Sequence, residues 1–452
     1  MSEERFNPGE IAGECIRRIK TRGVDGYEVY LSQSFSTSVE VRNGELESFK
    51  RAQSVGIALR ILKGQKLGFS YLSIPDSSEI TRMIDAAIDG AANLPDDRFS
   101  GFPNPPAELP SIPVIHDGRI GSISAQERID KAMAMEAAAV AFDPKRVKRV
   151  GKVVYEDAEG MVTILNSEGV EAEYASSIFM GSVMAVAEEG PESETGWDFD
   201  FQRRFEELDV VRIGREAAGK ARDKLGGRPI KTAFYPALIR NLVASEFLSI
   251  LAPSFTVENV RKGKSMIGQK VGSRVFSSTL SMYDDGLHPQ GMATSPFDGE
   301  GVQRQRTPVV ISGRITGFLS DFYWARREGG QSTGNSTREE RKAPPSLGIS
   351  NLYIEGGKRQ FNDLLRDLHK GVVIEEVMGL HTANPISGDF SLGATGFWVE
   401  NGRPVHPVKG IAISGNVLTL FQNIEEAGAD LRFTGKLGSP SLRTGKLPVS
   451  GE

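Results

Sequence analysis

Between residues 27 and 71 apolar side chains recur at every second position. Tyr27, Val29 and Leu31 alternate with other residues, as do Val39 and Val41, then Val55, Ile57, Leu59 and Ile61, then Leu67, Phe69 and Tyr71. A period of two belongs to a strand with one face buried and the other not. Asn43-Gly44 and Lys63-Gly64 supply the residues that tight hairpin turns need, so the stretch reads as a β-meander. Helical periodicity brackets it. Residues 7–22 form an amphipathic pattern, and Ile80, Met83, Ile84, Ala87, Ile88 and Ala91 lie on one stripe that Asp76 or Ser77 can cap. That second helix is expected to cover the buried face of the sheet.

Residues 93–113 hold Pro95, Pro103, Pro105, Pro106, Pro110 and Pro113 and read as an extended connector. Ser124-Ala-Gln-Glu127 is a capping box opening a helix to about Phe142, where Asp143-Pro144 stops it. Strands are expected near 150–156, 161–166 and 170–188, with a helix at about 206–225 that ends at Gly226-Gly227, so a second α/β module. Beyond 229 one helical stretch, Ala237–Leu251, precedes a Gly-rich region with further helices near 359–369 and 417–427. Turns at Asp298-Gly299-Glu300-Gly301, Ser332-Thr333-Gly334-Asn335, Ser387-Gly388-Asp389, Glu400-Asn401-Gly402 and Ser414-Gly415-Asn416 punctuate short alternating runs there. Gly, Asn and Asp enter left-handed backbone cheaply, so this part reads as tight hairpins. The expected class is α+β: a helix plus meander domain over 1–92, a linker at 93–113, a central α/β module over 114–228, and a large, mostly antiparallel β domain over 229–452.

Composition changes the picture little. Apolar and charged fractions of 39% and 25% are those of an ordinary globular protein. A net charge of −5 gives no pull toward nucleic acid or acidic membranes, and no apolar run approaches a membrane span. The N-terminus carries no hydrophobic signal region, so a cytoplasmic location is expected, with neither nucleic acid nor membrane as partner. The single cysteine, Cys15, falls on the apolar side of the first helix and reads as a buried small hydrophobe.

Candidate chemistry is sparse. None of the five histidines, His116, His288, His369, His381 and His406, has another three to five residues away, so no helix presents an imidazole pair to a metal. Gly214-Arg-Glu-Ala-Ala-Gly219-Lys220 imitates a phosphate loop, but Ala221 replaces the needed hydroxyl and the segment reads as helix interior. No Gly-x-Ser-x-Gly elbow exists. Asp298 and Glu300 remain: two apart, they could share a face as an acid–base pair or hold a hard cation, or they could bond backbone donors within a tight turn.

The series of turns resembles the TldD/PmbA family, known also as modulators of DNA gyrase. The resemblance is carried by Asp298-Gly-Glu-Gly301, Thr333-Gly334-Asn335, Asn351-Leu-Tyr-Ile-Glu-Gly-Gly357, Gly388-Asp-Phe-Ser391, Gly396-Phe-Trp-Val-Glu-Asn-Gly402, Pro407-Val-Lys-Gly-Ile411 and Ser414-Gly415-Asn416. It implies a zinc-dependent peptidase of two related subunits. Catalytic members carry a helical His-Glu-x-x-x-His and a C-terminal Cys. The corresponding segments here look like Ile239–Ile250, whose only carboxylate is Glu246, and Thr434-Gly435-Lys436. The resemblance thus implies the noncatalytic PmbA (TldE) branch, with no catalytic residue, metal ligand or cofactor in this chain. Zinc is expected in a TldD-like partner, short or unfolded peptides are the implied substrate, and a homodimer is expected to be open to the chain without that partner. Asp298, Glu300, Gly301, Asn335, Asn351, Asp389 and Asn401 are the candidate chamber or structural-turn residues. The alternatives are an independent hydrolase using carboxylates and a divalent cation, or a homodimeric peptide-binding module.

Overall fold

The alternating N-terminal stretch folds as three strands, β1 (Gly26–Arg42), β2 (Glu45–Lys63) and β3 (Lys66–Leu72), preceded by helix α1 (Pro8–Ile19). The computed structural model describes residues 8–73, 77–112, 115–338 and 342–452; Asn7, the expected cap Asp76 and linker Pro113 lie outside the described residues. Asn43 and Gly44 both take positive φ, 54° and 72°, a turn whose twist matches that of the strands it joins. Helix α2 (Ser77–Ala92) covers the sheet: Ile80, Met83, Ile84 and Ala87 share a core with Cys15, Val29, Leu31, Ile57, Leu59 and Ile61. The approach is close at Gly68, where an added Cβ would lie 1.9 Å from the Ala87 carbonyl oxygen. Burial pushes the Cys15 thiol up to about 12, so it packs as a hydrophobe.

The central segment supplies α3 (Ala125–Phe142), β4 (Val147–Asn166), β5 (Glu171–Glu189), β6 (Glu192–Gln202) and α4 (Val210–Asp223). The Ser124–Glu127 capping box forms as expected. Two expectations are corrected. β4 is one continuous strand rather than two, and β6 is a strand the sequence reading lacks. Nor is the central module a separate sheet: β1 pairs antiparallel with β4, giving one six-stranded sheet in the order β3-β2-β1-β4-β5-β6. Period-two alternation reports which face a residue takes, not which strand lies beside it. Gly214, first in the phosphate-loop-like string, is inside α4, where a Cβ would meet the Met135 carbonyl oxygen at 2.2 Å. Its role is contact between α3 and α4.

The C-terminal domain opens with β7 (Ala233–Ile239) and α5 (Asn241–Leu251). The expected helix from 237 therefore begins later. Ala237–Ile239 pair in parallel with Val372–Ile374 and antiparallel with Leu442–Thr444, and such a buried strand has the unbroken apolar run of a buried helix. Likewise Ile424–Ala427 is a strand following a short helix, Val417–Gln422, and the helix near 359–369 shrinks to Phe361–Arg366. One six-stranded sheet runs from Arg403–Asn416 through β7 to Ile424–Ala427; another runs from Arg314–Ile315 through Met282–Asp285 to Arg432–Thr434. Side chains of both sheets and of α5 share a single core. Among the described helices none is long and apolar enough to cross a membrane.

The second face of the N-terminal sheet is not open, contrary to the meander reading. Glu28, Tyr30, Ala58 and Arg60 are buried there, and Phe297 of the C-terminal domain joins Tyr30, Ala58 and Ile164 in a small core. The connector is fastened too: Arg326 donates to the carbonyls of Ser100 and Arg98, and Phe102 lies under the Arg60 guanidinium at 5.3 Å.

Candidate functional site

Five of the seven candidate residues converge where the C-terminal domain meets that covered face. Asp298 closes its own turn, accepting backbone N–H bonds from Glu300 at 2.9 Å and Val302 at 3.0 Å, with a third from Ser336 at 2.9 Å. Burial first, and the Glu300 charge second, raise its carboxyl to about 6. Gly301 holds φ at 85° and fits against Val170. Glu300 turns the other way, accepting from Arg60 at 2.8 Å and from the Phe322 N–H at 3.3 Å. Arg60 also grips Glu28 with two donors, and Glu28 is shared with Arg338. Burial would raise Glu28, but the Arg338 and Arg60 charges outweigh it and hold its carboxyl low.

Asn335 and Asn351 brace neighbouring loops. Asn335 donates to Asp284 at 2.7 Å and to the Gly348 carbonyl at 3.1 Å; Asn351 donates to the Asp285 carbonyl at 2.8 Å and accepts from the Ala293 N–H at 2.9 Å. Asp389 and Asn401 do not join them. Asp389 bonds Ser387 and Asn416 at an exposed turn, and Asn401 sits at a hairpin turn with φ 50°. Backbone donors occupy the Asp298 oxygens, and Arg60 with the Phe322 N–H those of Glu300, so each oxygen already accepts a protein donor.

A second feature lies between α4, β6 and α5. Glu246 of α5 faces a cleft of about 280 Å³ walled by Trp197 and Phe199 and by Lys220 and Lys224 of α4, with Glu375, Glu376 and Thr434 completing it. Trp197 and Phe199, two apart on β6, stack at 4.8 Å. Lys224 pairs with Glu376 at 2.5 Å and Arg240 with Glu375 at 3.4 Å. Among the described residues Glu246 has no such partner: burial, then the Glu376 charge, raises it to about 7, and its Oε2 is a buried atom without a hydrogen bond, as is Thr434 Oγ1. The structure thus brings together the two segments singled out from sequence. The buried Asp198 fixes this arrangement, pairing with Lys220 at 2.9 Å and with Arg432, beside Thr434, at 3.2 Å.

Sequence reasoning missed the aromatic wall because it missed β6; Trp197 and Phe199 at a spacing of two were the available signal. Glu375 and Glu376, adjacent like charges, both line the cleft. Zinc requires three or four converging nitrogen, sulfur or oxygen donors. The cleft's unpaired groups are one carboxylate and one hydroxyl, and among the described residues no group of three or more His, Cys, Asp or Glu could hold a metal ion. The donor set does not fit zinc. The histidines are dispersed: His116 pairs with Glu159 at 2.8 Å, and His288 packs on Tyr353 and Phe433.

Comparison with known proteins agrees with this architecture. Residues 27–91 match PmbA/TldA metallopeptidase domain 1, residues 118–225 the central domain, and residues 232–451 the C-terminal domain. The metalloprotease PmbA of Escherichia coli O157:H7 is 26% identical over 95% of this chain and 93% of its own. A Haemophilus influenzae protein named as a metalloprotease TldD homolog is 23% identical, covering 100% of this chain and 99% of its own. Among solved structures, a Thermotoga maritima protein described as a modulator of a DNA gyrase superposes with a TM-score of 0.90 at 29% identity, covering 98% of this chain and 100% of that one. TldE from Thermococcus kodakarensis gives 0.90 at 23% identity with the same coverage, a likeness of fold. With all three domains matched in order, the chain belongs to the PmbA/TldD metallopeptidase family and is PmbA-like within it.

Proposed function

We propose that the chain is a noncatalytic, PmbA/TldE-like subunit of a zinc metallopeptidase, pairing with a TldD-like subunit to handle short or unfolded peptides in the cytoplasm. The observation that carries this reading is the donor set beside α5. Glu246 and Thr434 occupy the two segments that the family resemblance assigns to metal binding, yet neither an imidazole nor a thiolate accompanies them. Zinc would then be held by the partner alone. The cleft's aromatic wall and charged floor suit the mixed side chains of an extended peptide. A hydrolase acting through Asp298 and Glu300 is less well supported, because their oxygens are engaged by backbone N–H groups and Arg60.

The test mixes the purified chain with a cognate His-Glu-x-x-x-His protein. Co-elution on size exclusion, together with peptide cleavage that depends on both proteins, is the expected result. Separate elution with unchanged cleavage would contradict the proposal, as would metal-dependent cleavage by the isolated chain.

A further inference from the structure

Beside the Asp298 turn, and apart from the cleft at α5, lies a polar cavity of about 180 Å³ between the N-terminal sheet and the C-terminal domain. Its lining carries four cationic side chains, Arg203, Arg304, Arg338 and Lys436, and one acid, Asp298. Four residues on these walls hold buried polar atoms without a hydrogen-bond partner among the described residues: Arg203 Nε, Arg304 Nε, Arg338 Nη1 and Ser336 Oγ. Arg203, Arg304 and Ser336 are 9%, 7% and 0% exposed, and the Arg338 side chain 2%. A buried guanidinium N–H left without an acceptor is costly, and three of them with a hydroxyl around one small cavity are not scattered packing faults.

Other nitrogens of these arginines are already bonded. Arg203 donates to the carbonyls of Ser177, Gly291 and Met292; Arg304 donates to Gly334; Arg338 donates to Gly299 and Glu28. Arg203 and Arg338 are thereby oriented before any ligand arrives, and Arg304 is held by one bond. Among the described residues no carboxylate ion-pairs with Arg203 or Arg304, and the oxygens of Asp298 are occupied by three backbone N–H groups. The side chains that carry these unused donors line a space where, among the described residues, Asp298 is the one acid. Tyr30, Tyr174, Phe297 and Ile349 add apolar wall, which a bare inorganic ion would not use.

We propose that this cavity binds the C-terminal carboxylate of a short peptide, with Arg203, Arg304, Arg338 and Ser336 supplying donors and the apolar wall receiving the terminal residue. The choice of a peptide rests on the functional reading above; the preference for an anion rests on the donors alone. Charge-assisted bonds from preoriented guanidinium groups suit a planar carboxylate.

The test is calorimetric titration of the full chain, without partner, using N-acetyl-trialanine with a free C-terminus, the same peptide as its C-terminal amide, and inorganic phosphate. The free acid is expected to bind one site per chain and the amide at least tenfold more weakly. Ser336→Ala removes a hydroxyl that bonds nothing among the described residues, so folding persists while affinity for the acid falls about tenfold, or ~1.4 kcal/mol. Lys436→Met gives a second variant at the rim, expected to weaken the acid and not the amide. Equal binding of acid and amide, or no binding of the acid, overturns the proposal; phosphate bound more tightly than the acid overturns the peptide assignment. Since neither partner nor cleavage enters the measurement, its failure is separable from failure of the subunit reading.

Discussion

Replacing Arg60 with methionine should destabilise the protein in a strongly pH-dependent way. Arg60 is buried between Glu28 on its own sheet and Glu300 of the C-terminal domain. Methionine keeps much of the volume but removes the charge. Glu28 retains Arg338, whereas Glu300 retains, among the described residues, only the Phe322 N–H at 3.3 Å. A stranded buried carboxylate escapes most of its desolvation cost by taking up a proton. Protonating an ordinary glutamate costs about 3.7 kcal/mol at pH 7 and about 1 kcal/mol at pH 5. The expected loss is thus ~3–4 kcal/mol at pH 7, in the range for breaking a buried pair, and ~1–2 kcal/mol at pH 5. The assay is urea unfolding of wild type and variant at both pH values, followed by tryptophan fluorescence and far-UV circular dichroism. Adding Glu300→Gln to Arg60→Met should recover most of the loss at pH 7. An equal loss at the two pH values, with no recovery in the double variant, would refute the account.

Other outcomes follow from the same geometry. Glu246 binds its proton more tightly folded than unfolded, so its stabilising contribution is full below about pH 4.5 and is lost as pH rises through about 7. Glu246→Gln should therefore leave stability unchanged at low pH and raise it by ~1–2 kcal/mol at pH 8, a figure reduced for the group's partial exposure; a variant less stable at pH 8 would count against it. Gly68→Ala forces a methyl to within 1.9 Å of the Ala87 carbonyl oxygen, and calorimetry should record a loss of ~1–3 kcal/mol. Ser124→Ala breaks the capping box of α3 and should cost ~1 kcal/mol in the same measurement.

What could be read from sequence was whatever is encoded locally. Alternation marked β1, β2 and β3 because their apolar side chains keep to one face; Ser124 and Glu127 marked a helix start because their bonds are made within four residues. The Asp298 turn was legible for the same reason. Pairing of β1 with β4 was not, since contact partners are set by topology rather than by period. Glu28 and Arg60 occupy polar positions of alternating strands; Phe297–Gly301 and Arg338 of the C-terminal domain, with Phe102 of the connector, cover them. Ala237–Ile239 failed differently, as a strand buried on both faces loses the alternation that would identify it. The cleft at α5 was half legible: Glu246 and Thr434 could be named, while Trp197 and Phe199 could not be placed without β6.

The two recesses are joined by one short hairpin, and this constrains how the seam works. Strands Arg432–Thr434 and Leu437–Ser439 pair through a turn at Gly435, whose φ is 62°. Thr434 on one side of that turn lines the cleft with Glu246, and Lys436 on the other side lines the cationic cavity with Arg203 and Arg304. The hairpin cannot shift toward one recess without altering the other. It is held at its base, where Arg432 pairs with buried Asp198 of β6 and Asp430 bonds Asn241 at the start of α5. A group bound at Lys436 would bear on the position of Thr434 through three residues of backbone, with Gly435 as the element that sets their relative angle. Alanine at Gly435, strained at that φ, should disturb both recesses together. Disturbance of one without the other would mean that the hairpin separates the sites and does not couple them.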